Sequence, residues 1–155
     1  MRLGIFAKTF AAADVGGCLA AVAAAGIPAV QFNLSVVGLP TIPTEPVPDT
    51  VIDEIRAAAD RHSIELAAIS GTFNTAHPDR DVTQDGIDRF GWLAEAAAAL
   101  GIPVITLSSG SRDPQDMWRW HPDNGTAAAW EDSRTSLRTL ATIAEQTGLK
   151  IGVVH

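Results

Sequence analysis

The chain has 155 residues, 46% hydrophobic and 19% charged, the usage of a single globular domain large enough to bury a core. A net charge of −7 with no run of Lys or Arg repels phosphate backbones and argues against a nucleic-acid groove. Cys18 is the only cysteine, so no internal disulfide can form, which matches a reducing, cytoplasmic compartment.

The opening residues, Met1 to Lys8, lack the long apolar stretch and cleavage pattern of a signal peptide. The first strand is expected from Leu3 to Ala7. Helix one is expected from Asp14 to Ala25, with Val15, Leu19 and Val22 at helical spacing on one face. Strand two follows from Ala29 to Asn33. The uncharged run from Val15 to Leu39 superficially resembles a membrane span. Its Ala/Gly content, Pro28, Gln31, Asn33 and Ser35 make it a helix, a turn and a strand instead. Gly38 to Pro48 is a loop, too broken by Pro for regular structure. Helix two starts at Pro48-Asp49, good first-turn residues, and buries Val51, Ile52, Ile55 and Ala59.

Strand three is expected from Glu65 to Ser70, and helix three from Thr83 to Leu100 with Ile87, Phe90, Leu93, Ala97 and Leu100 inward. Strand four runs from Val104 to Ser108. Helix four spans Thr126 to Gln146, capped by Thr126, with Trp130, Leu137, Leu140 and Ala144 on its buried side. Strand five is Lys150 to Val154. Trp92 and Trp130, both at helical positions, read as packing residues.

A helix, a Gly turn and a short apolar strand recur. Ala24-Ala25-Gly26-Ile27-Pro28 nearly repeats as Ala99-Leu100-Gly101-Ile102-Pro103, with looser copies at Arg61-His62-Ser63-Ile64 and Thr147-Gly148-Leu149. Gly past a helix end takes the left-handed cap conformation, and Pro then bars continuation. Alternating helices and strands imply a parallel sheet covered by helices. Helix-to-strand turns are short and structural. Strand-to-helix loops are long and polar, and parallel α/β folds build sites on that rim. Two architectures fit. One is a flavodoxin-like sheet, which closes at about five strands. The other is a partial (β/α)8 TIM barrel, about five parallel strands and four helices of a fold that needs roughly 200 residues or more. No helix follows strand five, and the turn after strand one has no glycine, so the barrel is preferred.

Loop three carries Gly71-Thr72-Phe73-Asn74 and His77-Pro78-Asp79. Loop four carries Gly110-Ser111-Arg112-Asp113-Pro114, then Trp118, then His121-Pro122-Asp123-Asn124. On these motifs the whole chain resembles the sugar phosphate isomerase/epimerase family with a xylose isomerase-like TIM barrel, of which residues 1–155 would be the N-terminal part. The resemblance implies proton transfer through an enediolate on a ketose, aldose or related polyol, with a divalent metal ion (Mn, Mg, Co or Zn) holding adjacent substrate oxygens. It also implies that the metal carboxylates and histidine stand at the ends of strands five to eight. The first, a Glu, would fall at about or beyond His155, so no catalytic or metal-binding residue is assigned here. The expectation is a substrate-recognition half, inactive alone, with a sugar or polyol as ligand and a homo-oligomer or a complementary half-barrel as partner. An inosose isomerase/dehydratase, a non-catalytic carbohydrate-binding half-barrel and a flavodoxin-like binding domain are the alternatives. Abasic-site endonucleases share the barrel class, but the acidic balance speaks against DNA.

The candidate substrate-binding residues are Asn74, His77, Arg112, Trp118, His121 and Asn124. Each has a plainer reading. Asn74 can shape its loop. His77 and His121 each precede Pro-Asp, whose Asp can cap a helix or turn. Arg112 suits a carboxylate or phosphate, or pairs with Asp113 or Asp116. Trp118 and Trp120 can stack on a sugar, or pack a lid. Lys8, ending strand one, can face the barrel mouth or solvent. Glu65 starts strand three at the opposite end, away from any chemistry there.

Overall fold

A computed structural model describes residues 3–154. His155, whose role was left open by the sequence, lies outside the described residues. Five strands, β1 (Gly4–Phe6), β2 (Ala29–Phe32), β3 (Glu65–Ser70), β4 (Val104–Ser108) and β5 (Lys150–Val154), alternate with four α-helices, α1 (Val15–Ala24), α2 (Asp49–His62), α3 (Arg80–Ala99) and α4 (Ala127–Gln146). All strand pairs are parallel and the order is β1-β2-β3-β4-β5. A flavodoxin-like sheet reverses its strand order partway. Consecutive order with right-handed crossovers places every helix on one face, as in a partial (β/α)8 barrel.

The core lies between that face and the helices. Phe32, Ile69, Ile105 and Leu107 from the strands meet Leu19, Ile55, Phe90, Leu93 and Leu140, all fully buried. The opposite face holds Gln31, Ser70, Thr106 and Ser108, paired in register or spaced two apart along their strands. This alternation is the pleat at work: one face greasy, the other bearing the polar lining of a barrel interior.

The helix boundaries follow from their caps. Asp14 accepts from the Gly17 N–H at 2.7 Å and starts α1. Asp79 accepts from the Asp81 N–H at 2.9 Å, so α3 begins at Arg80, three residues before the Thr83 expected from hydrophobic spacing. Thr126 accepts from the Ala129 N–H and caps α4 as expected. At the helix-to-strand turns Gly26, Gly101 and Gly148 all have φ between 70° and 74°, and Ser63 takes the same left-handed role at 52°. The supposed membrane run resolves into α1, a turn, β2 and a 3-10 turn at Leu34–Val37. No described helix is long and apolar enough to cross a membrane.

One packing expectation is corrected. Trp130 is 70% exposed rather than buried. It sits on the flank of the α4 apolar stripe, which is centred on Leu140, and borders Leu137 and Val153 beside the uncovered edge of β5.

Candidate functional site at the C-terminal rim

Loops three and four meet at the C-terminal ends of the strands. The Asn74 side chain is the knot between them. Its Nδ2 donates to the Ser111 carbonyl at 2.8 Å, while its Oδ1 accepts from the Ser111 N–H at 3.0 Å and from the Ala76 N–H at 3.2 Å. Gly110 has φ 73°, and a Cβ there would lie 3.1 Å from the Asn74 Cα. Glycine therefore lets the two loops approach. The Thr75 hydroxyl donates to the Ser109 carbonyl at 2.8 Å and adds a second tie. Further along loop four, Asn124 Oδ1 accepts from the Arg112 N–H at 2.7 Å, and Ser111 Oγ donates to the Arg119 carbonyl at 2.6 Å.

The charged residues of the rim point outward into this framework. The Arg112 guanidinium, only 11% exposed, pairs with Asp132 of α4 at 2.5 Å and donates to the His77 carbonyl at 3.4 Å. Its partner is neither Asp113 nor Asp116, the local acids expected from the sequence. Arg80 reaches the same Asp132 at 3.2 Å. The hydrogen bond from Arg112 holds the Asp132 carboxyl below the usual carboxylate range, helped by both positive charges. Asp113 is held low chiefly by the Gln115 N–H, then by the Asp116 N–H and Arg119. His77 Nδ1 accepts from the Asp79 N–H at 3.0 Å, and the His121 side chain caps the 3-10 turn Pro122–Gly125 through the Asp123 N–H at 3.3 Å.

A cavity of about 340 Å³ opens inside this rim. Its polar lining is Lys8, Gln31, Asn33, Thr41, Ser70 and Thr72, and its apolar lining is Phe6, Phe32, Met117, Trp118 and Val154. These residues come from the ends of β1, β2, β3 and β5, the loop after β2, and loop four. Of the six candidates read from sequence, the cavity takes Trp118. The Asn74 side chain is committed to bonds between loops three and four, Arg112 to Asp132 of α4 and the His77 carbonyl, and Asn124 to Ser111 and Arg112 within loop four. His77 lies on an outer groove between α3 and α4. Asn124 borders a second, larger depression of about 550 Å³, which Trp118 lines as well, together with Trp120 and Trp130. Lys8, which sequence left between barrel mouth and solvent, lines the cavity. Gln31, Asn33, Thr41, Ser70 and Thr72 escaped notice because each is an ordinary polar residue. The signal for four of them was position: Gln31, Asn33, Ser70 and Thr72 fall at or within two residues of a strand's C-terminal end, as Lys8 does.

Among the described residues the cavity offers neutral hydroxyl and amide groups, one cation and three aromatic rings. That set suits the hydroxyls and the apolar ring face of a polyol. The described part of the lining does not suit a divalent metal, because among the described residues it has no carboxylate and no imidazole. Among the described residues no group of three or more His, Cys, Asp or Glu converges on a point that could hold one.

Several solved structures that share this fold are described as sugar epimerases. The 3-keto-D-glucoside 4-epimerase of E. coli superposes with a TM-score of 0.75 at 15% identity, matching 99% of this chain and 55% of that one. The D-psicose 3-epimerase of Clostridium cellulolyticum H10, solved with D-tagatose, gives 0.70 at 21%, matching 97% of this chain and 51% of the other. A xylose isomerase domain protein of Planctomyces limnophilus gives 0.66 at 16%, over 98% and 53%. The chain thus spans about half the length of these proteins. No curated protein matches the sequence. The family model for the xylose isomerase-like TIM barrel matches residues 19–153, and the chain belongs to that family.

Proposed function

We propose that this chain is the substrate-recognition half of a sugar isomerase or epimerase, acting on a ketose, aldose or related polyol. The observation that carries this reading is the rim cavity, where Trp118 faces neutral hydrogen-bonding groups from successive strand ends. Trp118 supplies an apolar plane for a sugar ring, and Asn33, Gln31, Ser70 and Thr72 fix hydroxyl positions. Asn74, Arg112 and Asn124 hold loop four so that Trp118 stays over the cavity. His77 and His121 brace the same loops. The resemblance of the fold to epimerases supports a sugar as the ligand class.

The reaction needs a base within hydrogen-bond reach of a carbon-bound proton. Among the described residues the cavity lining has no carboxylate, and the family resemblance implies that the proton-transfer groups, and the carboxylates that would hold a metal, stand at the ends of strands five to eight. When bound, a divalent metal would stabilise the oxyanion that forms as the proton leaves. The chain's own part is binding and orientation. A non-catalytic carbohydrate-binding half-barrel is the second reading, supported by the same neutral polar lining.

Calorimetric titration with D-fructose and D-tagatose tests the binding. Saturable heat is expected, weakened about fivefold by Trp118→Ala. Unchanged binding in that variant removes Trp118 from the site. Incubation of the chain with D-fructose and Mn2+, followed by chromatography of the sugars, is expected to give no epimer, and turnover would contradict the assignment of a recognition half.

A further inference from the structure

Residues 111–119 of loop four hold themselves together. Asp113 Oδ1 accepts from the Gln115 and Asp116 N–H groups, each at 2.9 Å, and Oδ2 pairs with Arg119 at 3.2 Å. Asp116 Oδ1 accepts from the Trp118 N–H at 2.9 Å, and Ser111 Oγ donates to the Arg119 carbonyl at 2.6 Å. Ser111 and Asp113 are both buried, which shields the bonds they make from water. A short loop closed on itself in this way moves as a block, and Trp118 moves with it.

The block is anchored from loop three and from α4. Asn74 bonds the Ser111 backbone. His77 Nδ1 accepts from the Asp79 N–H, which assigns the ring proton to Nε2, and Nε2 donates to the Pro114 carbonyl at 3.3 Å. Both of these anchors stand on another loop. Asp132 stands in the second turn of a 20-residue helix. Its Oδ2 takes the Arg112 guanidinium at 2.5 Å, and its Oδ1 takes Arg80 from the start of α3 at 3.2 Å. The other arm of Arg112 donates to the His77 carbonyl at 3.4 Å. Among the described residues, Arg112–Asp132 is the one ion pair or hydrogen bond that joins the block to a helix.

Asp132 lines the outer groove between α3 and α4 and neither of the depressions that Trp118 lines. We propose that Asp132 is nonetheless a positioning residue for the ligand: by gripping Arg112 it sets the tilt of the 111–119 block, and so where Trp118 stands over the rim cavity. The effect on ligand affinity rests on the reading of that cavity as a sugar site. The pair is a charge-assisted hydrogen bond with its arginine side chain 11% exposed, so water competes with it weakly. Removing the carboxylate leaves Arg112 charged without its counter-ion, and the guanidinium turns away to find water. Because the block is bonded to itself, that movement is carried to Trp118 rather than absorbed on the way. A displacement of about 1 Å is enough to weaken an oriented contact.

Calorimetry with D-fructose on the wild type, Asp132→Asn, Trp118→Ala and the double variant tests this. Asp132→Asn is expected to weaken binding about threefold when Trp118 is present and not at all when it is alanine. A loss of equal size in both backgrounds means a general loosening of the fold and overturns the proposal, as does no loss in either. Glu131→Gln makes the same charge change one residue away and breaks a pair with Arg134. It is expected to leave the affinity where it is, and a loss equal to that of Asp132→Asn overturns the proposal. If Asp132→Asn does not fold, Arg112→Lys takes its place, keeping a cation beside Asp132 without the fork that also reaches His77, and the same pattern is expected. The Trp118 indole peak of the 15N-labelled chain, identified by its loss in Trp118→Ala, follows the block without any sugar. It is expected to shift in Asp132→Asn and to stay in Glu131→Gln, and a peak that stays in both overturns the proposal. If the wild type gives no heat with D-fructose, the sugar reading falls and the indole peak alone decides whether Asp132 places Trp118.

Discussion

Asn74 does more for the rim than any residue that lines the cavity. It satisfies three backbone groups of two loops at once. Asn74→Ala strands those groups without replacing them, and half-buried orphans cost about 1–3 kcal/mol. The expected outcome is a lowered urea midpoint with faster proteolysis in loop four, and an unchanged midpoint would remove the knot from the account. Asp132 makes a pH-dependent counterpart. Its folded pKa lies below the unfolded one, so its contribution is complete above about pH 4 and drains away as pH falls through the folded value. Urea midpoints measured from pH 6 to pH 3 should therefore fall in the acid range, and Asp132→Asn should flatten that fall while lowering the neutral plateau. The plateau is lowered because Arg112, 11% exposed, loses its charged partner.

The helix-to-strand turns show how an element can be legible while its context is not. Gly26, Gly101 and Gly148 announced left-handed caps, and all three have them. The fourth copy of the turn carries Ser63 at φ 52°, where a side chain is strained. Ser63→Gly is expected to raise stability by about 0.5–1 kcal/mol in thermal or urea unfolding, and a loss would mean that the serine side chain has a use there. Strand and helix positions were likewise readable, because alternation and 3.6-residue spacing are local properties. Trp130 was misplaced because spacing gives a stripe but not its flank. Leu140 marks the centre of the stripe, and only the assembled sheet shows that Trp130 faces beyond its last strand. The partner of Arg112 was hidden for a related reason. Asp113 and Asp116 were near in sequence, whereas Asp132 is brought close by the approach of α4 to loop four. The cavity was the least legible feature, since Lys8, Asn33 and Ser70 become neighbours only when three strand ends align.

At the scale of the molecule, the sheet has helices on one face and two open edges. Leu3 and Phe6 at β1, and Val153 and Val154 at β5, are each about half exposed or more. Open parallel edges with apolar side chains invite pairing with another chain. Light scattering behind size-exclusion chromatography is expected to show association that grows with concentration and weakens in Val153→Lys. A dispersed monomer at high concentration would show that the edges are protected as they stand. The consecutive strand order, the family match over residues 19–153 and the superposition on about half of each sugar enzyme agree on the architecture.

Whether the rim cavity is where a sugar sits can be read residue by residue from amide and indole shifts of the 15N-labelled chain titrated with D-fructose. Shifts should cluster at Gln31, Asn33, Ser70, Thr72 and the Trp118 indole, with the turns at Gly26, Gly101 and Gly148 unmoved. Shifts concentrated at those turns, or none at saturating sugar, would contradict the site.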